Sequence, residues 1–359
     1  MRIVHVISRP DGGGAERLVR ELTARLPSHG LECRALYFVN PNNVSLSWRE
    51  KCIGLKSPRS LRGFWKLKKA INELVCSTND TNVIHAHTTV PLYLVSMLTR
   101  QSHEKKIFTE HNTHNRRRQI NLLRPVERHI YSTFDKVVCI SKPTQKNLLD
   151  WLAISDERNW SIVIPNGSRM LNWHTRMYPM ECGIRLVSVG SLTRQKGFDV
   201  GLKAVSKNRH LISKYTIVGA GPDEASLRRL VIKLGLQDVV RMVGYQEDVE
   251  AFFHDADLGL IPSRWEGFGL AAVEALSTGL PLVATDVPGM GDLLYGCQAV
   301  KLVKPDSVVA ASNGLVHAIK HLVGREQIAY AARQRAESYT IEQMVSSYAK
   351  MYQELIFSK

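Results

Sequence analysis

Strand-like and helix-like patterns alternate twice along this chain, and a run of such βαβ units closes by laying its strands parallel with helices on both faces. In the first half, strands are expected near 2–7, 31–39, 83–86, 106–109, 136–140 and 161–164, with helices between most of them. The second half repeats the scheme: strands near 184–190, 214–218, 239–243, 257–261 and 281–285, helices near 197–207, 223–235 and 270–279, then a helical tail. Residues 165–183, PNGSRMLNWHTRMYPMECG, have no clear period and begin and end on Pro and Gly breakers, which makes them the expected linker. The expectation is an α/β chain of two Rossmann-like, doubly wound parallel-sheet domains, 1–168 and 169–340, with 341–359 as a terminal helix.

A length of 359 residues exceeds what one core usually serves, and 44% hydrophobic content can bury two. Cys33, Cys52, Cys76, Cys139, Cys182 and Cys297 are scattered without CxxC spacing, a pattern that suits reduced thiols better than a disulfide framework or a zinc site. RIVHVI opens directly as a strand, and no later run reaches membrane-spanning length. The expectation is a cytosolic chain that is neither secreted nor integral to a membrane.

The chemistry concentrates in residues 263–286, SRWEGFGLAAVEALSTGLPLVATD, where Glu266 and Glu274 stand eight positions apart. Gly267 and Gly269 break the backbone where a helix is about to start. Unpaired N–H groups and the positive end of the helix dipole then point outward together, which suits a phosphate. Two carboxylates would repel that phosphate on contact, so their expected task is accepting hydrogen bonds from neutral hydroxyls on the same ligand. A phosphate with several hydroxyls describes a nucleotide sugar.

Further motifs stand in order around this run: DGGGAER at 11–17, IHAH at 84–87, TEHN at 109–112, VIPNG at 163–167, VGSLTRQKGFD at 189–199, IVGAGPDEASL at 217–227 and VRMVGYQEDV at 240–249. In order and spacing the set resembles the retaining glycosyltransferases of family 4, of GT-B architecture, over nearly the whole chain. The resemblance implies two domains with their ligands in a cleft between them, and a last helix, near 341–357, that crosses back to the first domain.

By that resemblance Glu274 accepts from the ribose hydroxyls, Glu266 holds hydroxyls of the transferred sugar, and the backbone of Gly267, Phe268, Gly269 and Leu270 meets the distal phosphate or the sugar. Lys196 neutralises the diphosphate as the glycosidic bond breaks. Where the family commonly has an Arg after the first Gly of that motif, this chain has Ser191. Arg194 is the candidate substitute from the same loop, or else a solvated surface residue. Gly219 and Gly221 are expected to line the site, with Tyr245 in the loop where the base docks.

The first domain is expected to supply the acceptor side: Gly12, Gly13 and Gly14 at a ligand-approaching bend, Gly14 reaching the donor, and Glu16 in the first helical turn. The spacing is not GxGxxG, so no dinucleotide fingerprint is present. The resemblance places His111 close to the reacting sugar or departing phosphate, not as a nucleophile. His85 and His87 point to one face of a strand and could form part of a metal site, but no third ligand is evident; His87 is assigned to the acceptor side and the pair to packing or cleft lining. Asp255 and Asp257 spell the DxD of metal-dependent glycosyltransferases of another fold, yet stand where a helix ends and the strand LGLIP begins. They are taken as capping and strand entry. No metal or other cofactor is expected beyond the nucleotide-sugar co-substrate.

The formal net charge is +15, and most of it falls in the first half: residues 1–168 hold 26 Lys and Arg against 14 Asp and Glu, residues 169–359 hold 22 against 19. In RSLRGFWKLKKAINEL, Phe64, Leu67, Ile71 and Leu74 share one helical face while Arg62, Lys66 and Lys69 share another; Arg116, Arg117 and Arg118 form a second basic cluster. These suit an anionic membrane surface at the cytoplasmic face and a lipid-linked or saccharide acceptor; the plainer reading is an apolar face on the sheet and a solvated basic one. A nucleic-acid partner is not expected, because acids in the main cleft oppose a polyanion. A nucleotide-sugar epimerase of the same fold and a catalytically inactive scaffold subunit remain as alternatives, the latter because of Ser191. A hexose or N-acetylhexosamine carried on uridine diphosphate is the expected donor, and an O-antigen, lipopolysaccharide or capsule pathway the expected setting.

Overall fold

A computed structural model describes residues 1–55, 62–74, 81–99, 103–112, 116–156, 159–174 and 183–357. It divides into two units, residues 1–167 with 341–359 and residues 168–340.

The strands of the first unit are mostly rich in buried apolar residues, as strands covered on both faces require, the short edge run Glu50–Cys52 excepted. They are β1 (Arg2–Ile7), β2 (Glu32–Tyr37), β3 (Glu50–Cys52), β4 (Asn82–His87), β5 (Glu104–Glu110), β6 (Lys136–Cys139) and β7 (Ser161–Val163). Among the described residues they form one parallel sheet in the order β3-β2-β1-β4-β5-β6-β7. The helices are α1 (Gly14–Arg25), α2 (Arg62–Leu74), α3 (Thr89–Ser96), α4 (Arg124–Ser132) and α5 (Lys142–Leu152).

Alternate residues of each strand feed two cores. Val4, Val6, Ile84, Ala86, Phe108 and Val137 face one side and pack with Leu67 and Ile71 of α2, Leu92 of α3, Tyr131 of α4 and Leu148 of α5. Ile3, Ile7, Val83, Ile107 and Val138 face the other and pack with Leu18 and Leu22 of α1. Residues Ile341–Phe357 form a terminal helix whose Met344, Val345, Tyr348 and Tyr352 complete that second core. Each such side chain, once buried, contributes roughly 1.5–3 kcal/mol.

The second unit repeats the plan with β8 (Ile184–Val189), β9 (Ile212–Val218), β10 (Val240–Met242), β11 (Leu258–Ile261), β12 (Leu282–Thr285) and β13 (Val300–Val303), in the parallel order β10-β9-β8-β11-β12-β13. Its helices are α6 (Phe198–Lys207), α7 (Glu224–Lys233), α8 (Glu250–His254), α9 (Leu270–Ser277), α10 (Gly291–Leu294), α11 (Val308–His321) and α12 (Glu326–Glu337); the terminal helix is therefore α13. Residues 168–174 of the expected linker run along this unit: Ser168 bridges to Thr340, and Leu171 N–H donates to Ser277 Oγ at 3.0 Å. Residues 175–182 lie outside the described ones.

Strand order reverses between β1 and β4 in the first sheet and between β8 and β11 in the second. Crevices at the carboxyl ends of strands open at such switch points. The glycine bend 12–14 and the residues after His87 follow one pair; Gly190 and the run 262–269 follow the other.

Candidate functional site

In the second unit, β11 runs into Ser263 and Glu266, and Gly269 caps α9 with φ +98°, a left-handed conformation that a side chain resists. The turn brings Glu266 inward: it is buried, accepts from Ser263 Oγ at 2.7 Å and from Lys196 Nζ at 2.7 Å. Lys196 closes a 3-10 turn (Arg194–Lys196) just ahead of α6. Glu274 is buried on α9 and accepts from Arg169 Nε at 3.2 Å. Leu270 opens α9, whose first-turn N–H groups have no intrahelical acceptor. Phe268 is buried edge-on against Tyr339 at 5.5 Å, so its ring anchors the bend while its backbone remains at the helix start.

Backbone contacts draw three loops together at this end of the sheet. Gly219 N–H donates to Gly244 O at 2.8 Å, next to Tyr245, which is 74% exposed. A Cβ on Gly219 would lie 2.0 Å from Gly190 O, and one on Gly221 2.4 Å from Leu192 O. The glycines therefore let the β8 and β9 loops touch. Ser191 and Arg194 are both exposed. Arg194 lines a hollow of about 330 Å³ with Thr193, Asp199, Asp223 and Arg264, whereas Lys196, Glu266 and Glu274 are not among its walls. Arg264, unmarked at the sequence level, pairs with Asp199 at 2.8 Å and Asp306 at 2.8 Å.

Asp255 and Asp257 serve the far end of the same sheet. Asp257 accepts from Arg185 N at 2.8 Å and from its guanidinium at 2.7 Å, while Asp255 pairs with Arg185 at 3.2 Å and Lys214 at 2.7 Å. These contacts tie the entry of β11 to β8.

In the first unit, Gly12 takes φ +128° and Gly13 caps α1. Gly14 starts the helix, and burial raises the Glu16 carboxyl above its ordinary range. Four histidines meet on the sheet face covered by α13. Parallel register sets His5 opposite His85, and His87 opposite Thr109, two residues before His111. His5 Nδ1 lies 2.9 Å from His87 Nε2, and His87 Nδ1 lies 3.2 Å from His111 Nε2. His85 Nε2 is 2.8 Å from Thr109 Oγ1, and its Nδ1 bonds the Tyr352 hydroxyl. Burial pushes His5 and His111 down to about 3, and His85 and His87 well below the usual imidazole range, so all four rings are neutral near pH 7.

His5 is the third nitrogen donor that the sequence left unplaced: ligand atoms of His5, His85 and His87 all lie within 4.8 Å of one another. Both ring nitrogens of His85 and of His87 are already engaged in hydrogen bonds, and a metal would have to break them. Glu110, just before His111, is held by Arg118 at 2.6 Å and by the Tyr131 hydroxyl at 2.7 Å, and its Oε1 accepts from Asn112 N–H at 3.1 Å. That cluster shapes the turn carrying His111.

The basic elements distribute differently from the membrane-facing expectation. Arg118 is consumed by Glu110, and Arg117 pairs with the buried Glu127 at 2.8 Å. The Arg116 and Arg62 side chains lie outside the described residues. Leu67 and Ile71 of α2 pack on the sheet while Lys66 and Lys69 are exposed. Among the described residues no helix is long and apolar enough to cross a membrane.

Two family models match the chain, Glycosyltransferase Family 4 over residues 12–168 and Glycosyl transferases group 1 over residues 182–335. It is 26% identical over 235 residues to the O-antigen biosynthesis glycosyltransferase WclY of Escherichia coli, an alignment covering 63% of each chain. It is 33% identical over 142 residues to the putative colanic acid biosynthesis glycosyltransferase WcaL of Escherichia coli, covering 37% of this chain and 35% of the relative. The chain thus spans less than two thirds of the length of these curated relatives. In structure it resembles a glycosyltransferase from Rickettsia africae, with TM-score 0.81, 18% identity and coverage of 100% and 99% of the two chains. It also resembles HepE of Anabaena in complex with UDP and glucose, with TM-score 0.79, 17% identity and coverage of 99% and 100%. At these identities the likeness is one of fold, and the fold is GT-B.

Proposed function

The chain belongs to the glycosyltransferases of group 1 and family 4, and from that premise we propose that it transfers a hexose or N-acetylhexosamine from a nucleotide diphosphate sugar to a lipid-linked or saccharide acceptor, with retention at the anomeric carbon. The observation that carries the reading is the constellation in the second unit: Lys196 beside Glu266, with Glu274 on the helix that Gly269 opens. In this reading Glu274 takes the ribose hydroxyls, Glu266 the sugar hydroxyls, and Lys196 with the start of α9 the diphosphate. Residues 169–340 form the donor domain and residues 1–168 the acceptor domain. UDP is the proposed carrier, in keeping with the UDP and glucose bound by the HepE structure.

The acceptor hydroxyl attacks on the face that the diphosphate leaves, and a departing phosphate oxygen takes its proton. The carbon–oxygen bond to the diphosphate breaks as the bond to the acceptor forms, so charge balances without a protein nucleophile. Glu266 and Glu274 are therefore binding groups, unlike the acid and nucleophile of a retaining glycosidase. Lys196 and the helix dipole offset the leaving charge, and no divalent ion is required. The neutral His111 contacts the sugar or the phosphate as a hydrogen-bonding group.

The pathway we propose is assembly of a bacterial O-antigen, lipopolysaccharide or capsule, in line with the roles named for the relatives in O-antigen and colanic acid biosynthesis. Attachment to an anionic membrane is part of the proposal. Its surface is not the arginine cluster but Ile120, Leu122 and Val126, exposed by 52%, 88% and 55%, beside the exposed Arg124 and Arg128. The test is incubation of the protein with UDP-sugars and bacterial lipid extract in the presence of EDTA, with the product's anomeric configuration read by NMR. A glycolipid with the donor's configuration supports the reading; an inverted product, or interconversion of the nucleotide sugar without transfer, would overturn it.

A further inference from the structure

Among the described residues, both ends of the histidine chain carry an enclosed nitrogen without a partner: His5 Nε2 at one end and His111 Nδ1 at the other. Between neutral rings each contact needs one N–H and one lone pair. Only two arrangements therefore satisfy both the His5–His87 and the His87–His111 contacts. Either all three rings carry the proton on Nε2, or all three carry it on Nδ1. Each strands one N–H and one lone pair: the first leaves the N–H at His5 Nε2 and the lone pair at His111 Nδ1, and the second leaves the reverse. His5 is fully buried beneath α13 whereas His111 is partly exposed at the carboxyl end of β5, so only the second arrangement places the stranded N–H where an acceptor can reach it.

In that second arrangement His111 turns an N–H, through Nδ1, toward whatever lies beyond it. A neighbouring residue leaves a second polar atom open at the same end of the sheet. Thr88, next to His87, sits at φ +64°, strained for a β-branched side chain, and caps α3 without using its hydroxyl; its Oγ1 is enclosed and also lacks a partner among the described residues. Two unpartnered polar atoms thus stand at the carboxyl ends of the neighbouring strands β4 and β5, where a ligand oxygen would satisfy them.

We propose that His5 and His87 are positioning residues that fix His111 as the Nδ1–H tautomer, so that this N–H is donated to an oxygen of the bound sugar or its departing diphosphate. The identity of that oxygen rests on the role given to His111 above; the tautomer rests on the histidine chain and on which of its two ends an acceptor can reach. The chain carries no net proton. Passing one out at His111 would require a proton donor at His5 Nε2, and none faces it among the described residues.

The full chain, labelled with ¹⁵N-histidine, tests this by long-range ¹⁵N–¹H correlation spectra at neutral pH. Wild-type His111 should carry its proton on Nδ1. His87→Asn, whose amide can donate to His111 Nε2 from the Nδ1 position, should keep that form. His87→Leu should return His111 to Nε2–H, which an isolated imidazole favours, and lower kcat about tenfold or more with donor KM within about twofold. An Nε2–H signal for His111 in the wild type overturns the inference, and so does an unchanged tautomer in a folded His87→Leu. If His87→Leu fails to fold, the wild-type and His87→Asn spectra decide. The spectra need no turnover, so failure of the transfer assay would strike the proposed function without altering this result.

Discussion

Lys196 Nζ donates to Glu266 Oε1 at 2.7 Å, across 70 residues of sequence, and the acid it meets is buried. A cation assigned to the diphosphate and an acid assigned to the sugar are thus partners. In the proposed reading, binding divides them between two ends of one molecule. Lys196→Ala is expected to lower kcat by about 10²–10³, the usual cost of removing one preorganised group that stabilises developing charge. Glu266→Gln keeps the shape and one hydrogen bond, so its loss should fall on activity while the melting temperature stays within a few degrees. Steady-state kinetics with a UDP-sugar, alongside thermal melts, check both.

Gly219 predicts a purely structural failure. Its Cβ would stand 2.0 Å from Gly190 O, and backbone cannot swing aside as a flexible side chain can. Gly219→Ala should destabilise the second unit by about 1–3 kcal/mol. Chemical denaturation followed by tryptophan fluorescence would show it, and a wild-type midpoint would contradict the close approach.

Much of the architecture was legible because buried parallel strands announce themselves as apolar runs and helices as 3.6-residue periods. What escaped was short or distant. The runs Glu50–Cys52 and Val300–Val303 are edge strands of three and four residues, only partly buried, and offered no such signal. Glu266, Lys196 and Glu274 could be singled out because glycines and charges cluster around them locally. Arg169, which meets Glu274, and Arg118, which meets Glu110, could not: their partners are set by how loops return to the sheet. His5 was invisible for another reason. Within RIVHVI it is one polar residue in a strand, and only the β1–β4 register sets it opposite His85. The same return of chain pairs Arg117 with Glu127 and Arg118 with Glu110, which their sequence cluster gave no sign of.

Asp257 should behave as a structural acid. It is buried and takes three bonds from Arg185. Asp257→Ala should cost about 1–3 kcal/mol of stability by stranding those donors. Added Mn²⁺ should leave wild-type transfer unchanged; stimulation by the ion that Asp257→Ala abolishes would assign the pair to a metal after all.

The buried histidines set a pH dependence of stability. His5 is held neutral by burial with its pKa lowered to about 3, and His85 and His87 are lowered well below the usual value. Below roughly pH 6.5 the unfolded chain binds protons that the folded chain refuses, so stability falls as pH drops through the window between 6.5 and about 3. Each ring weakens the fold by up to about 1.4 kcal/mol per pH unit there and has no effect above it. Denaturant titrations at pH 7.5, 6 and 5 should show the decline, and His5→Gln or His87→Asn should flatten it.

If the second unit holds a nucleotide sugar through Glu274, calorimetric titration of a panel of UDP-sugars in EDTA, on wild type and Glu274→Ala, will show it. At least one UDP-sugar should bind the wild type, and the folded variant should lose about tenfold or more in affinity, as the removal of a buried acceptor of ribose hydroxyls requires. Binding of equal strength to both proteins, or no binding of any UDP-sugar to the wild type, would contradict it.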